Sequence, residues 1–589
     1  MSRPGRSRLL VVTYRFTEPP LGGAEAYLLA TLKGLHALGD FDIDVATFAV
    51  QGIADHLHFS ASYEPLGHRR DAFDFVRAVH RFAVDPVDET AVAAHCASLF
   101  ELWQREDLRQ ARAFERDYED STLLGGWFHP ERHGARFQRW TGPQAEIFLP
   151  TGINGVTIRG VAEGSKSVTL RGPRGTATTA KVRGEFVVEL AAECMDGGAY
   201  TLTVDPARQS GGDPRRLGVC VTQITARRGT ASFDVPLQAD FGARMRQKDV
   251  ARWVQSLIDI TNAREMRDDE RFLAVRGPHS ARLDAWLRDH VADYDVVLAQ
   301  GVPFSTSVIG VRHARQQRVP CVVLPHFHMD DKYYHWREFY EAFRSADRVI
   351  AFPRPAKGLF FDRIGARAVS VQGGGVDAAE FENSPSGSRA FRALHPSLDP
   401  FVLVLGRKSG AKNYASVVAA VEAVNRTGTR LDLVMIGPDE DGQRLDSRHV
   451  HYLGSQPRAV VLGALAQCHC LATMSESESF GIVVVEAWMS GRPVVANGRN
   501  AASADLIEHG RNGLLCQTVD DVAAALKRLV DAPGEAARLG AAGRGEALAG
   551  YTWGSIAKAI NDVLLSVCRT DRSRPAEEAE VRGPASLPA

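Results

Sequence analysis

Two glutamates, Glu478 and Glu486, stand with seven residues between them in the segment MSESESFGIVVVEAWMSGRPVVAN, residues 474–497. The first is expected in a loop leaving a strand. The apolar run after Gly481 reads as a helix that carries Glu486 one or two turns in, with Gly491 as its C-terminal stop before the strand 494–496. Backbone amides at Phe480, Gly481 and Ile482 would then be unpaired donors at a helix N-terminus, where hydroxyls or anionic oxygens bind well. A carboxylate on each side accepts hydrogen bonds from hydroxyl pairs, one set on a hexose and the other on a ribose. Glutamates at a helix start also serve as plain solvated charges that favour the dipole, so the rest of the pattern must decide.

Upstream, the apolar strand 400–405 runs into Gly406-Arg407-Lys408-Ser409-Gly410-Ala411-Lys412-Asn413, followed by a helix from about 414 to 424. A phosphate-binding P-loop needs Gly, four residues, then Gly-Lys-Ser/Thr; here the glycines are too close and Asn413 follows the lysine. What remains is a strand-end loop with cations at Arg407 and Lys412. Two fixed cations stabilise the charge that grows on a diphosphate leaving group, without a metal.

The elements that must position these groups are of two kinds. Apolar strand, glycine turn and helix recur at residues 8–13, Gly22-Gly23 and about 24 onward, which opens a doubly wound domain. The same alternation resumes after about 248, with strands at 294–299 and 319–325, the latter ending in His326-Phe327-His328, and again from 400 onward. Residues 70 to about 140 read as helical and charged, most plainly 91–117. From about 147 the apolar period changes to two, in six short strands between 156 and 235 divided by Gly, Pro and Asp turns. That is an all-β unit of sandwich type, inserted into the first α/β domain. It could hold an acceptor glycan or a partner protein, or serve as a structural or oligomerising module.

At 589 residues, with 44% apolar content and a net charge of −1, the chain needs several cores and carries no basic footprint for nucleic acid. No apolar run reaches the ~18 residues of a membrane span. The N-terminus is basic and then apolar, but its apolar part is short, reads as a first strand and lacks a small-residue cleavage site, so no signal segment is expected. Eight scattered cysteines fit reduced thiols in a cytoplasmic protein. Cys468-His469-Cys470 reads as core packing, since adjacent ligands on a strand point opposite ways. His326 and His328 share one strand face and, with Asp330 and Asp331, permit a metal reading, but no placed third ligand accompanies them.

The segment ESFGIVVVEAWMSGRPVVA closely resembles the E-x7-E motif of retaining glycosyltransferases of family 4, which have the GT-B fold. Gly-Arg…Lys at 406–412, the Gly22-Gly23-Ala24-Glu25 loop, the Gly-Val-Asp turn at 375–377 and Asp505-Leu-Ile-Glu-His-Gly-Arg-Asn-Gly resemble further motifs of that family. Asp505 stands where the family usually has Glu, and Ala501-Ala502 replace its paired glycines. The resemblance covers roughly 8–50 and 290–567. It implies an α/β GT-B fold of two facing Rossmann-like doubly wound domains, and a helix near Tyr551-Thr552-Trp553 that crosses back onto the first domain. It further implies transfer, with retention, of a hexose-type sugar from a nucleoside diphosphate sugar to a glycan or other hydroxyl acceptor, in bacterial polysaccharide or glycoconjugate synthesis.

On that resemblance Glu486 binds the ribose, Glu478 and the 480–482 amides bind the sugar, and Arg407 and Lys412 face the diphosphate. Gly22, Gly23 and His326 complete the pocket from the first domain, and His328 is supporting. No cofactor and no metal are expected, and any contact with the inner membrane would be peripheral. The expected organisation is a first domain in two parts, 1–60 and 241–385, with a helical insertion at 61–146 and a β insertion at 147–240. A nucleotide-sugar domain at 386–568 and a disordered tail at 569–589 complete it. A GT-B phosphorylase, a non-catalytic carbohydrate-binding or scaffold protein, and a nucleotide-sugar epimerase are the rival readings.

Overall fold

The computed structural model describes residues 6–18, 20, 23–50, 73–86, 94, 121–133, 136–191, 197–207, 216–237, 250–263, 276–277, 279–301, 304–371, 373–382, 384–394, 400–409, 412–439, 442, 447–476, 478 and 480–568. Apolar runs buried on both faces pair into two parallel sheets, as such runs must. The first has seven strands in the spatial order Ala368–Ser370, Arg348–Ala351, Cys321–Leu324, Val296–Gln300, Ser7–Thr13, Phe41–Phe48 and Ala78–Phe82. Leu9 lies opposite both Val296 and Ile43, so the strand read from 8–13 is central. Helix α1 (Gly23–Leu38) packs Leu28, Leu32 and Leu35 against one face, with Leu9, Val11 and Val45. Helices Ala281–His290, Ser305–Gln316 and Arg337–Ser345 cover the other, against Leu10, Val12 and Val297.

The second parallel sheet has six strands in the order Val450–Tyr452, Asp432–Ile436, Phe401–Leu405, Cys470–Thr473, Val494–Asn497 and Leu514–Cys516. Strand order reverses once in each sheet: between Ser7–Thr13 and Val296–Gln300, and between Phe401–Leu405 and Cys470–Thr473. Chains leave such a pair toward opposite faces, which opens a crevice at the strands' carboxyl ends. Both halves therefore match the two Rossmann-like domains expected of GT-B.

The halves are joined both by backbone hydrogen bonds and by a returning helix. Val376 N–H donates to the Tyr551 carbonyl at 3.0 Å, and Trp553 N–H returns a bond to Val376 at 3.3 Å. Helix α4 (Trp553–Cys568; α2 and α3 are Val250–Ala263 and Ile482–Met489) then crosses back onto the first domain. There Ile556, Ile560 and Leu564 enter the α1 core.

The third sheet is antiparallel, with nine strands from Thr122–Leu123 to Ala231–Asp234. This corrects the expected helical insertion: Trp127–His133, Arg136–Thr141 and Gln144–Leu149 are strands of this sheet, and Ala78–Phe82 edges the first parallel sheet. Dense charge around Trp127, Phe128, Phe137 and Trp140 hid a period of two. The helical candidate 91–117 lies outside the described residues except for Ala94, and the tail 569–589 lies wholly outside them.

The strands form one continuous hydrogen-bonded network instead of two separate sheets. Its long hairpin, Gly155–Arg171 with Ala177–Ala191, shifts register between Ala162 and Lys166. The first half of Gly155–Arg171 pairs with Cys220–Arg228 and the second with Gly198–Asp205. Ile158, Leu170, Tyr200 and Ile224 fill the common core.

Helix α2 attaches this unit. Val254 and Ile258 enter the parallel-sheet core, while Trp253 and Leu257 pack on Leu124 and Phe148 of the β unit. Each pair is four residues apart, which makes two adjacent stripes on one helix.

Candidate active site

The carboxyl-end crevice of the second sheet holds the cation loop on one side and Glu478 on the other. The Lys412 ammonium pairs with the Glu478 carboxylate (Nζ to Oε1), and both side chains are about four-fifths buried, with 24% and 20% exposure. The two groups assigned separately to phosphate and sugar are thus each other's partners. Arg407 is exposed on the same loop. The neighbouring Lys408, passed over in the sequence, is the buried one: its Nζ pairs with Asp439 Oδ1 at 2.8 Å and lies over the Tyr414 and Tyr452 rings. Its neutralised burial pins the start of the loop.

The glutamate loop is held from behind. Asn497 and Asn500 each donate a side-chain N–H to the Ser475 carbonyl at 3.2 Å, three residues before Glu478. Phe480 is buried in a slot left by Gly373 and Gly374, where an added Cβ would come within 2.7 Å and 2.6 Å of its ring. Its side chain therefore fills the domain junction, which leaves only its backbone available to a ligand. Gly481 takes φ = 87°, a left-handed turn that suits glycine, and α3 begins without a side-chain cap. Ile482 is the first helical residue and its side chain is partly exposed.

Glu486 is buried on α3, with Oε1 accepting from Arg458 Nη1 at 2.5 Å. Burial pushes its carboxyl up, and the Arg458 charge pulls part of the way back. Arg458 also donates to Glu380 at 2.8 Å, which ties the helix Arg458–Gln467 to the segment entering this domain. Nothing in the local sequence flags Arg458 as a partner 28 residues upstream.

In the first domain, Gly22 lies outside the described residues, and Gly23 is exposed as the first residue of α1. The α1 start is fixed by Gln300, whose Nε2 donates to the Ala24 carbonyl at 3.1 Å while its Oε1 accepts from Thr13. His326 follows the strand end in the left-handed region (φ = 49°), edge-on to Tyr27 of α1 at 5.1 Å and to Phe352 at 5.2 Å. Its Nε2 is shut from solvent with no hydrogen-bond partner among the described residues. Burial, helped by His328, lowers its pKa to about 3, so the ring is neutral at ordinary pH.

His328, expected to be supporting, lines the cavity that Glu478 reaches from the other domain, together with Asp330, Glu476 and Arg499. The structure thus brings Glu478 together with Lys412 and with His328. Across the same junction Arg354 donates from its backbone N–H and Nε to the Asp505 carboxylate at 2.9 and 2.8 Å. Among the described residues no group of three or more His, Cys, Asp or Glu is placed to hold a metal. Cys468 and Cys470 are buried free thiols, both pushed up by burial. No described helix is long and apolar enough to cross a membrane.

Residues 389–546 match the family profile "Glycosyl transferases group 1". Glycogen synthase of Mycobacterium tuberculosis is 27% identical over 220 residues, 35% of this chain and 51% of that protein. Phosphatidyl-myo-inositol mannosyltransferase of Mycobacterium leprae is 31% identical over 228 residues, 37% of this chain and 59% of its own length. The chain spans about half the length of the curated relatives it matches. Among solved structures, Anabaena Alr3699/HepE in complex with UDP and glucose aligns with TM-score 0.42 and 22% identity, over 49% of this chain and 82% of that one. TarM aligns with TM-score 0.45 and 12% identity, over 96% and 99%. The family match falls within the C-terminal domain.

Proposed function

We propose, from the group 1 glycosyltransferase character of residues 389–546, that the protein transfers a hexose-type sugar from a nucleoside diphosphate sugar to a hydroxyl acceptor. The observation that carries this reading is the Lys412–Glu478 pair at the switch-point crevice of the second sheet, beside the uncapped start of α3. A cation and a hydroxyl-binding carboxylate at one crevice suit the two ends of a sugar diphosphate. On binding, Lys412 and Arg407 turn to the diphosphate, Glu478 and the 480–482 amides to the sugar hydroxyls, and Glu486 to the ribose.

As the glycosidic bond breaks, charge grows on the leaving phosphate, and the two cations stabilise it without a metal. The neutral His326 offers an unpaired ring nitrogen from the first domain to a sugar hydroxyl. Transfer with retention lets the departing phosphate oxygen take the acceptor proton, so the site needs no separate carboxylate base. The relatives named as a glycogen synthase and as a mannosyltransferase support a glycan or glycoconjugate acceptor. We further propose a cytoplasmic site of action with at most peripheral membrane contact.

Incubation with UDP-, GDP- and ADP-sugars and methyl glycosides, read by NMR for product and anomeric configuration, tests this. A retained glycoside with release of nucleoside diphosphate is expected. Turnover only with phosphate and a glycan would establish the phosphorylase instead.

A further inference from the structure

The turn that follows His326 is fixed carbonyl by carbonyl. The His328 carbonyl accepts from the Asp331 N–H at 3.2 Å, and Asp331 accepts from the Tyr334 N–H at 3.0 Å. The Met329 carbonyl accepts from the ring of His335 at 2.8 Å, which is fully buried and kept neutral by that burial. The Asp330 carbonyl accepts from the Trp253 indole N–H at 2.8 Å. Three of these donors are local to the turn. The fourth comes from α2, 77 residues away in sequence.

Trp253 is 2% exposed and packs in one apolar cluster with Leu124 and Phe148 of the β unit. One residue thus joins the β unit to the turn whose His328 and Asp330 line the cavity opposite Glu478. Val250, at the first turn of the same helix, lines that cavity as well. We propose that Trp253 is a positioning residue through which the β insertion sets the acceptor side of the cleft. The acceptor role rests on the glycosyl-transfer reading; the mechanical coupling does not.

The test compares Trp253→Phe, which keeps an aromatic ring of smaller size and removes the N–H, with Leu257→Ala, which loosens the same apolar cluster and keeps the bond. Hydrogen exchange comes first. Trp253→Phe is expected to speed exchange of the 328–335 amides about tenfold while protection in the β unit holds, and Leu257→Ala to leave those amides within about twofold. Transfer to methyl glycosides is the second readout. Trp253→Phe is expected to raise the acceptor KM about fivefold, with the donor KM unmoved. Unchanged exchange in Trp253→Phe, or the same change in Leu257→Ala, overturns the coupling. Faster exchange with an unmoved acceptor KM overturns the acceptor role. A folded wild type that turns over no donor defeats the transfer reading instead, and exchange still decides whether the coupling exists.

Discussion

The two sides of the cleft solve opposite electrostatic problems. On the C-terminal side the candidate charges are already matched: Lys412 with Glu478, Arg458 with Glu486, and Lys408 with Asp439. On the N-terminal side His326 is a neutral ring among Tyr27 and Phe352, with one nitrogen lacking a partner among the described residues. Charges already paired and partly desolvated need only exchange partners when a charged ligand arrives, a smaller cost than stripping free ions of water. A lone neutral acceptor or donor suits a hydroxyl, since burying it without a partner costs about 1–3 kcal/mol that a ligand hydroxyl restores. Under the proposed transfer, the charged side suits the donor's diphosphate and the neutral side suits sugar hydroxyls.

The largest expected effect is at Lys412. Lys412→Ala should lower turnover by about 10²-fold or more, in the range of other groups that stabilise developing charge. Steady-state kinetics on the preferred donor checks this, and near-normal turnover removes the cation loop from the mechanism.

Next comes Arg458. Arg458→Ala leaves the buried Glu486 carboxyl without its counter-charge, and with Arg458 43% exposed the loss should be about 1–2 kcal/mol, below the figure for a fully buried pair. Urea unfolding should show it, together with a weaker nucleotide affinity. Unchanged affinity would separate Glu486 from the ribose.

The smallest effect concerns pH. His326 has a folded pKa of about 3 against ~6.5 in the unfolded chain, so the unfolded chain binds more protons between those values. Its contribution to stability is present above ~6.5 and declines as pH falls toward 3. His335, lowered to about 4, acts in the same direction. Thermal unfolding between pH 7 and 4 should therefore show a falling midpoint, by less in His326→Asn than in the wild type. An equal fall in both would mean that His326 is not held neutral.

Much of the C-terminal domain could be read from residue order. Its strand 400–405 and the Glu486 helix after Gly481 are local events, set by apolar runs, and both were expected in place. What escaped was partnership across the fold. Lys408 and Arg407 look alike in sequence, yet burial against Tyr414 and Tyr452 makes the first a structural ion. Arg458 and Trp253 reach partners 28 and 77 residues away, distances at which no periodicity carries a signal. The β unit's first strands were read as helix because charged residues crowd their aromatic positions, and charge says more about exposure than about period.

The most direct test of the donor site is a thermal-shift panel of UDP, GDP, ADP and their sugars on the wild type and on Glu486→Ala. The account predicts a stabilisation selective for one base in the wild type, about 2.7 kcal/mol at a hundredfold excess over Kd, and much reduced in the variant. No shift with any nucleotide at millimolar concentration, in a demonstrably folded protein, would contradict it.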